Sequence, residues 1–295
     1  VTPGEASGAP VPFGDRLGQA FAAHGQLCVG IDPHAWLLAD WDLPDSAAGA
    51  EAFGRTVVEA AAGRVGIVKP QIAFFERFGS AGYAALERTL ADARSAGLLV
   101  IGDVKRGDLG TSAEAYAQAW LTPGSPLEVD AITVSAYMGV GSLDAAIEIA
   151  EAGGKGLFVL SATSNPEAAV IQRAIVADGA RAGRSVARAI LDEVGERNAA
   201  ATTGPLGSIG VVLGATLDLA VFGIDVAAAP SAALTPVLAP GFGHQGADVT
   251  NIDLLYGGYA RSVIVSESRS VLAAGPDRLA EAIVRRVAET GAARG

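Results

Sequence analysis

A chain of 295 residues, half of them hydrophobic, is long enough for one large core or two modest ones. Its formal net charge of −11 argues against nucleic-acid binding through a broad basic face, so an anionic ligand would need a locally positive site. The apolar runs fall short of membrane-spanning length, and three histidines with one cysteine form no metal-ligand spacing, although a carboxylate-bound magnesium site stays compatible with the inventory.

Residues 1–10 are small and polar and read as a loose leader without the basic region and apolar core of a signal peptide, so a soluble cytoplasmic protein is expected. Phe13, Leu17 and Phe21 have helical spacing and predict a helix from Phe13 to His24. Eight short apolar runs follow, at Leu27–Ile31, Val65–Val68, Leu98–Ile101, Ala131–Val134, Leu157–Leu160, Ile209–Leu213, Pro236–Ala239 and Val263–Val265. Most are rich in Val, Ile and Leu without alternation, as strands buried on both faces should be. Ala-rich segments suited to helices lie between them, at Ala48–Ala62, Ala81–Ala96, Leu143–Ala152, Glu167–Glu196 and Pro276–Glu289. Glu167–Ala201 is long for one helix and is read as a helix plus an insertion, with Ala199–Gly207 as a loop. Cys28, inside the first run, reads as a buried small hydrophobe. Strand–helix alternation implies a parallel sheet with right-handed crossovers, and eight strands in a chain of this length predict a single (β/α)8-barrel domain over residues 1–295. An open doubly wound sheet is the second choice. The first run is not followed by G-x-G-x-x-G, which weakens its dinucleotide-binding form.

In a barrel the strand C-termini converge on one face, so the residues after each run are the candidate site. They include Asp32 after the first run, Lys69 after the second, and Asp103, Lys105 and Asp108 after the third. Ser135 follows the fourth, and the fifth leads into Ser161-Ala-Thr-Ser-Asn-Pro166. The seventh leads into Pro240-Gly-Phe-Gly-His-Gln-Gly246 and the eighth into Ser266-Glu-Ser-Arg-Ser270. A lone D-x-K-x-x-D is equally well a solvated loop with incidental salt bridges. Charges directly after apolar strands, however, are costly to bury unless paired, and Asp32, Lys69, Asp103 and Lys105 could reach one another across a barrel mouth. Such an array is either a structural ion-pair cap or a catalytic site in which a lysine is a fixed proton donor. Gly110-Thr-Ser-Ala-Glu114 reads as a turn and a capped helix start. Gly241 and Gly243 permit positive φ and close backbone approach, and Arg269 suits a phosphate as a bidentate donor. Together they resemble the phosphate sites that barrels build after strands seven and eight. His244 reads as a partly exposed loop residue rather than a catalyst.

Six stretches carry a family resemblance: Leu27-Cys-Val-Gly-Ile-Asp-Pro33, Val68-Lys-Pro-Gln-Ile-Ala-Phe-Phe-Glu76, Asp103-Val-Lys-Arg-Gly-Asp-Leu109, Ser161-Ala-Thr-Ser-Asn-Pro166, Leu238-Ala-Pro-Gly-Phe-Gly-His-Gln245 and Ser268-Arg-Ser270. In this order they resemble the orotidine 5′-phosphate decarboxylases, in the longer bacterial subfamily found in actinobacteria. Val104 departs from the more usual Ala of that subfamily. The resemblance implies cofactor-free and metal-free decarboxylation of orotidine 5′-phosphate to UMP by a homodimer of (β/α)8 barrels, with no nucleic-acid or membrane partner. It implies Lys69, Asp103, Lys105 and Asp108 as the catalytic tetrad, Asp108 being supplied to the neighbour's site. It further implies that Asp32 and Lys69 bind ribose hydroxyls, that Ser164 and Gln245 contact the pyrimidine, and that Gln245 and Arg269 hold the phosphate. Pro240 belongs to the same binding set, and Thr111 or Ser112 would reach the partner's ribose. A metal-dependent sugar-phosphate decarboxylase or synthase shares the barrel and the D-x-K-x-x-D motif, and a catalytically dead nucleotide-binding barrel is a third reading.

Overall fold

The computed structural model describes residues 9–202, 204–227 and 234–292. All but the last two residues of the expected leader lie outside them. Eight parallel strands close into a barrel in sequence order: β1 Leu27–Ile31, β2 Ile67–Pro70, β3 Leu99–Arg106, β4 Ala131–Val134, β5 Gly156–Ala162, β6 Ile209–Leu213, β7 Val237–Pro240 and β8 Val263–Glu267. β8 returns to pair with β1, Cys28 opposite Ser266, so no strand edge is left open. The barrel prediction holds, and the open sheet is excluded.

Inward-facing positions recur every second residue along each strand. Cys28, Ile67, Ile101, Ala131, Phe158, Val212, Leu238 and Ile264 pack together as the apolar interior. The Phe13–His24 helix closes one end of it. Its Phe13 and Leu17 are fully buried there, and Phe13 meets the Phe158 ring edge-on at 5.9 Å between centroids. The intervening strand residues, such as Val29, Val68, Val100 and Val265, face outward into a larger core beneath the surrounding helices. Cys28 is fully buried, and burial pushes its thiol up to about 12.

Several expected boundaries move. β2 begins and ends two residues later than its apolar run, and β3 extends through Arg106. Lys69, Asp103 and Lys105 are therefore strand residues, not residues beyond a strand. Pairing inside the barrel makes their charge tolerable where a sequence rule reads a stop. The Glu167–Ala201 segment, expected as a helix plus an insertion, is divided. A short 3₁₀ turn at Pro166–Ala168 and a helix at Ala169–Gln172 are followed by a loop, and a second helix spans Val186–Ala201. Ser185 starts that second helix by accepting the Arg188 N–H at 3.0 Å. Ala199–Ala201 is helical, so the predicted loop begins only after it. The helix at Gly110–Leu121 forms as expected but without a side-chain cap.

Candidate active site

One step further along the same inward rows, the apolar interior gives way to polar side chains. Cys28 is succeeded by Asp32, Ile67 by Lys69 and Gln71, Ile101 by Asp103 and Lys105, Ala131 by Thr133, and Ile264 by Ser266 and Ser268. These line the floor of a cavity of about 440 Å³ at the C-terminal mouth of the barrel. That is a volume suited to a nucleotide-sized ligand.

Asp103 is the centre of this floor. Oδ1 accepts from Lys105 Nζ at 2.6 Å and from the Thr133 hydroxyl at 2.8 Å. Oδ2 accepts from Lys69 Nζ and Gln71 Nε2, each at 3.0 Å. Four donors saturate the acceptor positions of a carboxylate. Burial by itself would raise the Asp103 carboxyl, but the two ammonium groups and their hydrogen bonds outweigh it and hold the group well below the usual carboxylate range. Burial likewise opposes the charge on Lys69, yet Asp103 and Asp32 together hold its ammonium above the ordinary lysine value. The two lysines differ in access. The Lys69 side chain is 8% exposed and that of Lys105 is 46%. Both line the cavity, one charge nearly buried in its floor and the other open to it.

Backbone geometry aims Lys105. Between Gly102 and Arg106 the register of β3 against β4 slips, so that four steps on β3 match two on β4. Within this bulge Lys105 adopts φ +49°, a left-handed conformation unusual for a non-glycine residue. Its N–H donates to Thr133 Oγ1 at 3.0 Å. Thr133 therefore ties the Lys105 backbone to the carboxylate that also holds the Lys105 ammonium. Strain of this kind persists where surrounding contacts over-determine it.

The opposite wall is built after β5, β7 and β8. Ser164, Pro240, Gln245 and Arg269 line the same cavity as Asp32, Lys69, Asp103 and Lys105. Gly241 and Gly243 have φ +117° and +68°, which lets the loop carrying Gln245 turn back over the mouth. His244 is exposed on that loop and also lines the cavity. Asp32 does not bond to the lysines. Its Oδ1 is buried without a hydrogen-bond partner among the described residues.

Asp108, Thr111 and Ser112 stay outside this cavity. Asp108 accepts its neighbour Leu109's N–H at 2.9 Å and borders a separate shallow cleft, while Thr111 and Ser112 are exposed. Gln71, Thr133 and His34 were missed. The first two follow from period-2 reading of β2 and β4. His34 lies at the mouth, its ring 4.2 Å from that of Phe74 and stacked on Trp36. Burial lowers its pKa, against the raising effect of Asp32. Among the described residues, no cluster of three or more His, Cys, Asp or Glu side chains could hold a metal ion.

The sequence model of the orotidine 5′-phosphate decarboxylase / HUMPS family matches residues 25–282. An orotidine 5′-phosphate decarboxylase of Salinispora arenicola is 52% identical over 265 residues, covering 90% of this chain and 91% of the relative. One from Streptomyces coelicolor is 50% identical over 267 residues, covering 90% and 91%. A crystal structure from Streptomyces avermitilis, provisionally assigned as an orotidine 5′-phosphate decarboxylase, matches with a TM-score of 0.90 at 48% identity over 99% of both chains. The Leishmania donovani OMP decarboxylase matches with a TM-score of 0.73 at 28% identity, over 96% of this chain and 99% of that one.

Proposed function

The chain belongs to the orotidine 5′-phosphate decarboxylase / HUMPS family, and we propose that it converts orotidine 5′-phosphate to UMP and CO₂ in pyrimidine biosynthesis, without cofactor or metal. The observation that carries this reading is Asp103 held between Lys69 and Lys105 at the floor of a cavity whose far wall holds Gln245 and Arg269.

The bond from the pyrimidine C6 to its carboxylate breaks, CO₂ leaves, and the electron pair stays on C6. That carbon delocalises charge poorly, so the site must favour the carbanion-like state over the substrate. In this reading the Lys105 ammonium lies where the negative charge develops and then delivers a proton to C6. Asp103 would sit beside the departing carboxylate, and Lys69 fixes Asp103 from behind. Asp32 and Lys69 would bind ribose hydroxyls, since both line the cavity. Ser164, Pro240 and Gln245 would border the pyrimidine, and Gln245 and Arg269 would hold the phosphate. Binding energy gathered at the phosphate can close the loop over the reacting centre and exclude water.

The proposed assembly is a cytoplasmic homodimer of single-domain barrels in which each chain lends Asp108, and Thr111 or Ser112, to its neighbour. Exposed Leu109 and Tyr116 support this, because they put apolar surface beside Asp108. Against the metal-dependent synthase reading stands the saturated Asp103, which has no acceptor position to spare for a cation. The test is the ultraviolet change on mixing the protein with orotidine 5′-phosphate in excess chelator. Steady loss of orotidylate absorbance is expected. No turnover with UMP still bound would mean a dead binder, and neither turnover nor binding would direct the search to sugar phosphates with magnesium.

A further inference from the structure

Glu267 ends β8, yet it is not part of the cavity. Its carboxylate is fully enclosed behind the wall that carries Gln245 and Arg269. Arg286, from the Leu279–Ala292 helix, grips it with Nε at 2.9 Å and with its Nη2 group. The Ser270 hydroxyl donates to Glu267 Oε2 at 2.6 Å. Ser270 follows Arg269 in the short helix Arg269–Leu272. The same carboxylate lies beside the glycine loop. A Cβ added to Gly243 would lie 2.7 Å from the Ser270 Cβ and 3.0 Å from Glu267 Oε2. One buried carboxylate therefore touches both elements that carry the phosphate-facing side chains, and an outer helix clamps it in place.

We propose that Glu267, clamped by Arg286, is a positioning residue that sets Arg269 and the Gly241–Gly246 loop for the substrate's phosphate. It acts through Ser270 and through the packing of Gly243, and it touches no reacting atom. The inference rests on the reading that Arg269 and Gln245 hold a phosphate.

The experiment compares wild type with Glu267→Gln and Ser270→Ala. Affinity is measured for UMP and for uridine, and kcat/KM for orotidine 5′-phosphate and for orotidine. Glu267→Gln keeps the side-chain shape but removes one of the two carboxylate charges that hold Arg286, the other being Glu289. The expected result is a fall of about tenfold to a hundredfold for the two phosphorylated ligands, which is the scale at which a small misplacement costs rate or binding. Uridine and orotidine should change little, and the loss should lie mainly in KM. Ser270→Ala leaves the ion pair intact and should give a smaller loss with the same phosphate dependence, so the idea stays testable if Glu267→Gln folds poorly. Equal losses for ligands with and without phosphate would mean a merely structural role and overturn the proposal, as would unchanged UMP affinity in both variants. Failure of the underlying phosphate reading looks different: wild type itself would bind UMP and uridine equally, and the proposal would fall with it.

Discussion

Thr133→Val tests whether the aim of Lys105 is set by the floor beneath it. The change is close in size at a position that is 1% exposed, and what it alters is the hydroxyl. It removes the 2.8 Å donation to Asp103 Oδ1 and the 3.0 Å acceptor for the Lys105 N–H. A hydrogen bond to a charged group contributes about 1.5–3 kcal/mol. Expressed wholly in the transition state, that corresponds to roughly tenfold to 150-fold in rate. The backbone consequence adds to it. Lys105 at φ +49° loses one of the contacts that hold it there, and relaxation to negative φ would swing the ammonium off its line. The expected outcome is a kcat lowered by about tenfold to a hundredfold with KM and UMP affinity nearly unchanged, read from orotidylate absorbance and from calorimetry. The melting temperature should fall by only about 3–10 °C, so the variant remains folded in the assay. A kcat within twofold of wild type would refute the claim that Thr133 positions the proton donor.

Lys105→Ala should abolish turnover while UMP still binds, since the cavity-facing ammonium is lost but the Lys69–Asp103 pair remains; loss of binding with residual chemistry would reverse the assignment. The Lys69 ammonium is held above the ordinary lysine value of 10.5, so its contribution to stability is complete below that pH and is lost as pH rises through the folded value. Denaturant titrations should therefore show wild type losing stability above about pH 10.5 more steeply than Lys69→Met; parallel curves would remove Lys69 as the cause. Asp103, held well below the carboxylate range, contributes stability present above its unfolded value near pH 4 and lost only as pH falls through the depressed folded value, so it gives no transition at neutral pH. Gln172 in the inserted helix bonds Thr163 twice, accepting its N–H at 2.8 Å and donating to its hydroxyl at 2.9 Å. Gln172→Ala should free the loop beside Ser164 and raise KM for orotidine 5′-phosphate several-fold, at about 0.5–1.5 kcal/mol per bond; an unchanged KM would leave the insertion without a role at the site.

The barrel was legible because strands buried on both faces appear as continuous apolar runs, and the runs alternate with Ala-rich segments. Strand ends were harder to read. Lys69 and Asp103 look like terminators taken singly, but they are 34 residues apart in sequence and become tolerable inside a strand only once paired across β2 and β3. Gln71 and Thr133 carried a signal in their spacing, two residues beyond Lys69 and Ala131, but the polar continuation of an inward row has meaning only after the row is known to face inward. The divided segment after β5 had its signs in plain view: Pro166, Gly179 and Gly183, and Ser185 in position to cap. Length alone pointed to a helix plus an insertion, while the Ala199–Gly207 loop was placed too early, since the second helix runs through Ala201. Asp108 lies outside the cavity, its carboxylate accepting the Leu109 N–H, and the site role proposed for it rests on the homodimer reading.

The arrangement of charge on the floor gives its two lysines different environments. A single buried Asp–Lys pair would be neutralised internally and would present little field to a ligand. Here one carboxylate saturated by four donors holds a buried lysine and an accessible one; with Asp32 the floor carries two carboxylates and two ammonium groups, and Lys105 is the cation most open to the cavity. Desolvation is met chiefly at Asp103 and Lys69, where pairing offsets it, and not at the Lys105 ammonium, which is half in the open. Breaking such a buried pair from one side costs about 3–5 kcal/mol, because it strands the remaining charge. Asp103 thus couples stability to chemistry, whereas Lys105 can be removed without stranding a sealed partner: Asp103 keeps Lys69, Gln71 and Thr133. The strained, accessible residue is the one that faces the cavity, and the saturated carboxylate beneath it is what makes that strain sustainable.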